Sequence, residues 1–81
     1  MRLNCQLMTH HDLDATGLLC PLPVLKARKR LKSLPAGDHL KVLADDPAAI
    51  VDIPHFCKES GYQLVNQGEI DGIQFYEILK V

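Results

Sequence analysis

The segment from Pro21 to Leu34 constrains this chain most, because it reads as a helix lying between two strand patterns. Cys20, Val24, Ala27, Leu31 and Leu34 fall on one stripe of a helix that turns about 100° per residue. Pro21 suits the first helical turn, where its missing N–H costs nothing, and Pro35-Ala36-Gly37 ends the run. Upstream, residues 11–15 alternate polar and apolar as a short strand that Thr16-Gly17 breaks. Downstream, residues 39–44 alternate as well, with Leu40, Val42 and Ala44 turned to the core. A helix that crosses between two such strands makes them parallel.

The second half repeats the logic. Asp46-Pro47 reads as an N-cap followed by Pro at the first helical position, and a helical segment runs towards Ser60 and stops at Gly61. Pro54 should interrupt it, leaving a short first turn and a main helix from about Ile53. Residues 62–66 and 73–81 make two further strands, joined by a turn that holds Gly68 and Asp71-Gly72. The order βαβαββ predicts an α/β (α+β) two-layer sandwich, with two helices packed on one face of a four-stranded mixed sheet.

At 81 residues the chain has room for one domain, read as residues 9–81 behind a loose N-terminus at 1–8. A formal net charge of -1 argues against non-specific nucleic-acid binding by the whole molecule. No apolar run approaches the roughly 20 residues of a membrane span, and Met1 to Met8 lacks a signal-peptide core, so a soluble cytoplasmic chain is expected. Cys5, Cys20 and Cys57 form neither an even disulfide set nor a zinc-type CxxC pattern, which leaves at least one free thiol.

Cys20, in "LCPLPV", is the thiol the sequence singles out. It stands where a helix start offers free N–H groups and the positive end of the macrodipole, which favours the thiolate. Between Pro21 and Leu34 there is no Asp or Glu, while Lys26, Arg28, Lys29, Arg30 and Lys32 add positive charge, so a lowered pKa is expected. Pro21 and Pro23 fix the backbone that presents the sulfur. A hydrolytic nucleophile needs a partner base, and nothing ties His39 or His55 to Cys20; no GxGxxG or phosphate-loop motif is present. A bare activated thiol exchanges sulfur or electrons with another thiol but generates no new sulfur. That is the profile of a carrier, without a self-standing active site or a cofactor.

With these residues in place, "LDATGLLCPLPVLKARKRL" and "LADDPAAIVDIPHFCKESGYQL" resemble the TusA (SirA-like) family of small sulfur carriers over residues of about 12–81. The resemblance implies the βαβαββ sandwich reached above. It also implies that Cys20 takes sulfane sulfur from a cysteine desulfurase as a persulfide and hands it to a downstream relay protein. In TusA itself that relay ends in 2-thiolation of tRNA wobble uridine. This chain has Leu22 where TusA proper has Glu, and relatives with other residues there serve sulfur oxidation, cofactor thiolation or selenium metabolism. The resemblance therefore carries the family and leaves the end acceptor open.

The remaining candidates are weighed beside it. Cys57 matches a cysteine common in the family and reads as a core thiol beside Phe56, with a resolving role for Cys20 as the alternative. Cys5 reads as incidental. His10-His11 with Asp12 and Asp14 reads as solvated surface and not as a metal site, because adjacent strand residues point to opposite faces. Leu22 and Leu25 lean to solvent beside Lys26, Arg28 and Lys29, a small apolar patch with a basic rim that suits docking of donor and acceptor. Asp45 joins that set as a partner contact implied by the family, and Asp46 reads as a helix cap. A redox or regulatory interaction domain is the second reading. An RNA-binding module is the third, and direct nucleic-acid contact is not expected because the basic run lacks interleaved aromatics.

Overall fold

A computed structural model describes residues 10–81; the expectations for residues 1–8, Cys5 included, lie outside the described residues. The order is β1 (His10–Asp14), α1 (Leu22–Lys32), β2 (His39–Ala44), α2 (Ala49–Ser60), β3 (Gln63–Ile70) and β4 (Ile73–Leu79). The sheet order is β1-β2-β4-β3, with β1 and β2 parallel and the two other pairings antiparallel. This is the mixed four-stranded sheet under two helices that the βαβαββ pattern implies.

Alternation decides which face is covered. Leu40, Val42 and Ala44 of β2 and Tyr76 and Ile78 of β4 are buried, and they meet Ala27 and Leu31 of α1 and Ile53, Phe56 and Cys57 of α2. Among the described residues the opposite face carries no helix. At the end of α1 the Lys80 ammonium donates to the carbonyl of Leu31 and, at 2.9 Å, to that of Leu34. The Leu31 carbonyl also accepts the Leu34 N–H at 3.1 Å, and a cation suits that end of the dipole.

Three local expectations are corrected. Pro54 does not break α2, which runs unbroken from Ala49 to Ser60 with Pro54 inside it. The hydrogen bond lost there would have used the carbonyl of Ile50, a residue that is 53 % exposed, so water can take its place. Gly68 belongs to β3 and not to the turn: it pairs with Phe75, whose ring lies where a Cβ on residue 68 would sit, 2.7 Å from that position. The hairpin turn is Asp71-Gly72 alone, with φ of 53° and 81°, the backbone a two-residue turn of primed type requires. Asp46 is not the N-cap residue, since regular helix begins three residues later at Ala49, behind Ala48. Its carboxylate nevertheless accepts the Ala48 N–H at 3.2 Å, and its carbonyl accepts the Ala49 N–H at 2.9 Å.

Gly61 ends α2 in the left-handed region at φ 82°, with open space where a Cβ would go. Gly61→Ala should therefore cost about 1–2 kcal/mol from backbone conformation alone. A lower urea midpoint at unchanged m-value checks it.

Candidate functional site

The carboxyl ends of the parallel strands β1 and β2 lead into two loops that meet, and Cys20 lies on the first of them. Helix α1 begins at Leu22 with Pro21 as its cap residue, so Cys20 stands outside the helix, one residue before the cap. It therefore leaves the apolar stripe and is exposed, while Pro23, Ala27, Leu31 and Leu34 are buried. The backbone N–H of Cys20 donates to the Asp46 carboxylate at 2.5 Å. The other Asp46 oxygen holds Ala48, so one carboxylate joins the two loops. Behind it the buried Gln74 donates to the Asp46 carbonyl at 3.0 Å and accepts the Tyr76 hydroxyl at 2.7 Å. Asp45 accepts the Gly17 N–H at 3.0 and 3.1 Å on its two oxygens, which ties the β1–α1 loop down a second time.

The Cys20 thiol donates to the Asp52 carboxylate at 2.8 Å. This overturns the expected acid–base state. The hydrogen bond to Asp52, then desolvation, then the negative charges of Asp52 and Asp46 raise the Cys20 pKa above its ordinary value. A carboxylate that accepts from the thiol stabilises the protonated form, and its charge opposes a second anion beside it. Counting charges along α1 missed both acids because they come from the β2–α2 loop and from α2. Asp52, the residue sequence reasoning overlooked, stands in the Asp-Ile-Pro run; no local pattern aims it at Cys20.

Cys57 is buried beside Phe56 on α2, and burial pushes its thiol up to about 11. Its proton is held more tightly in the folded chain than in the unfolded one. The linked stability is therefore present below the ordinary thiol pKa and lost as pH rises towards about 11. The basic positions divide over α1. Arg28 faces α2, its guanidinium carbon 5.7 Å from the centroid of the Phe56 ring, and it borders a groove with Pro21, Val24 and Asp52. Lys26 and Lys29 border a separate hollow with Leu13 and Arg30 on the other side of the helix. Leu22 and Leu25 are exposed, and Leu19, next to Cys20, is 69 % exposed.

Asp52→Asn should lower the Cys20 pKa, because the substitution removes the anion while keeping a polar group of the same shape. The pH dependence of Cys20 alkylation should move to lower pH, and an unmoved midpoint would show that Asp52 does not govern the thiol. In the same experiment Cys57 should resist the reagent until the chain is unfolded.

Residues 11–80 match the profile of the family described as Sulfurtransferase TusA. The sulfur carrier protein TusA of Pseudomonas entomophila is 49 % identical over 72 residues, which cover 86 % of this chain and 90 % of that protein. The sulfur carrier protein TusA of Pseudomonas putida is 47 % identical over 68 residues, covering 84 % and 85 %. The crystal structure of a SirA-like protein from Desulfitobacterium hafniense superposes with a TM-score of 0.77 at 32 % identity, over 85 % of this chain and 95 % of that one. With an exposed cysteine in a CPxP sequence on the matching fold, this chain belongs to the TusA family of sulfur carriers.

Proposed function

We propose that Cys20 carries sulfane sulfur as a persulfide, accepting it from a cysteine desulfurase and passing it to a downstream relay protein. The observation that carries this reading is the contrast between the two described thiols. Cys20 is exposed with a carboxylate 2.8 Å from its sulfur, and Cys57 is buried. Cys20 loses its proton to solvent and, as the thiolate, attacks the terminal sulfur of the donor persulfide. A new S–S bond forms on Cys20, the donor S–S bond breaks, and the donor cysteine leaves as a thiolate. No net oxidation occurs. Onward transfer is the same exchange with Cys20 as the leaving thiolate, and a terminal 2-thiolation of tRNA wobble uridine belongs to a later protein.

Docking is assigned to the exposed surface around the sulfur: Leu22, Leu25, Lys26 and Lys29 along one side of α1, and Arg28 in the groove towards Asp52. Pro21 and Pro23 hold the entry to the helix. Asp45 supports this surface through its bonds to Gly17. An RNA-binding reading has less behind it. Among the described residues Phe56 and Tyr76 are buried and Tyr62 and Phe75 half-buried, so the basic helix offers no open stacking platform.

Cys20→Ser should abolish the mass gain of about 32 Da that a desulfurase and cysteine produce on the wild type, with the fold intact. Normal loading of that variant would overturn the assignment. Cys57→Ala should keep transfer and lose stability on the order of 1 kcal/mol, measured by urea unfolding. Charge reversal at Arg28 and Lys29 should slow delivery from the desulfurase, and added salt should slow the wild type likewise. Leu22→Glu should change acceptor choice more than folding. Transfer rates indifferent to salt and to these substitutions would place docking elsewhere.

A further inference from the structure

The face of the sheet opposite the helices carries a side-chain cluster that sulfur transfer does not use. His10 opens β1, His39 opens β2, and Glu77 lies on β4. The parallel register sets His10 beside His39, with ring centroids 4.7 Å apart. The antiparallel register sets Glu77 opposite Lys41, two residues along β2 from His39 and on the same face. One Glu77 carboxylate oxygen lies 2.9 Å from His39 Nδ1 and 3.7 Å from His10 Nδ1. One donor atom from each residue lies within 4.8 Å of the other two.

These distances do not add up to a good hydrogen-bonded cluster. His39 Nδ1 is buried and has no hydrogen-bond partner among the described residues, although the Glu77 oxygen is only 2.9 Å away. At that separation the failure is one of direction: the oxygen lies off the line along which the ring nitrogen donates or accepts. Three ligand atoms on a common cation behave in just this way, each aimed at a shared point and not at one another. Around a tetrahedral Zn²⁺ with bonds of about 2.0–2.1 Å, neighbouring ligand atoms are about 3.4 Å apart, and the observed 2.9 and 3.7 Å bracket that edge. Lys41 does not neutralise the carboxylate, because its ammonium lies over the Phe75 ring, 5.6 Å from the centroid.

We propose that His10, His39 and Glu77 form a binding site for a divalent transition-metal ion of the zinc type, with three protein ligands and a further position open to solvent. Two imidazoles and one carboxylate suit first-row transition metals, whereas Mg²⁺ and Ca²⁺ favour all-oxygen shells. The side chain of His10 is 62 % exposed, that of Glu77 28 % and that of His39 12 %, so the ion would enter over His10 and sit against the sheet. His10 and His39 occupy the amino ends of β1 and β2, and the loops that carry Cys20 and Asp46 leave their carboxyl ends. The proposed site is therefore at the opposite end of these strands from the thiol. It pins the edge strand β1 to β2 and β4.

Zinc titration tests this on the untagged full chain with Cys5→Ser and Cys20→Ser, which removes two competing thiols. One equivalent of Zn²⁺ should bind and raise the melting temperature, and the ring signals of His10 and His39 should move while those of His55 stay. His10→Ala, at an exposed position, and Glu77→Gln, of the same shape, should each weaken binding at least about tenfold with an unchanged circular dichroism spectrum. Absence of one-equivalent binding in the parent, or undiminished binding in either variant, would overturn the proposal.

Discussion

The carboxylate of Asp46 joins what would otherwise be two independent loops. One oxygen takes the Cys20 N–H and the other the Ala48 N–H, so the approach to α1 and the start of α2 share a single anchor. Gln74 and Tyr76 hold that anchor from the buried face of β4. A backbone N–H buried without a partner costs about 1–3 kcal/mol, and bonds to an ionised acceptor are shorter and stronger than neutral ones. Placing the anchor at the carboxyl ends of two parallel strands also follows from topology, because that is where the connecting loops of such a sheet converge.

Holding the thiol near acids sets its chemistry. Protonation of Cys20 by way of Asp52 lowers the resting thiolate fraction, and oxidation proceeds through the thiolate. The intrinsic nucleophilicity of a thiolate rises with its pKa, so the fewer thiolates present are individually stronger. The hydrogen bond to Asp52 and the negative charges of Asp52 and Asp46 hold that proton in place. The Cys57 thiol is held protonated by burial alone.

The two faces of the sheet divide the labour of the molecule. Helices cover one face with the apolar side chains of every strand pair, and the open face is left to Lys41, Phe75, Glu77 and the two histidines. Gly68 is the cost of that arrangement: with no Cβ of its own, it lies under the Phe75 ring across the ladder. A one-residue irregularity between Leu64 and Asn66 shifts the β3 register against β4, which carries β3 on to Ile70 and past the end at Asn66 that its alternation implied.

Local patterns were enough to read the order of elements, the parallel first pair, the core side of β2 and the placing of Cys20 against a helix start. Each of these is set by spacing of two or of about 3.6 residues, which neighbours in sequence express directly. The family was legible for the same reason, since CPxP and the acidic-proline runs are contiguous. The acid–base state of the thiol was not legible. Its governing carboxylates lie 26 and 32 residues away along the chain, and only the packing of α2 beside α1 brings them within bonding distance. Pro54 inside a helix and Gly68 inside a strand also escaped local rules, because an exposed carbonyl in one case and a covering ring in the other compensate each residue's defect. The meeting of His10, His39 and Glu77 depends on strand register, and register is a property of the sheet and not of any one strand.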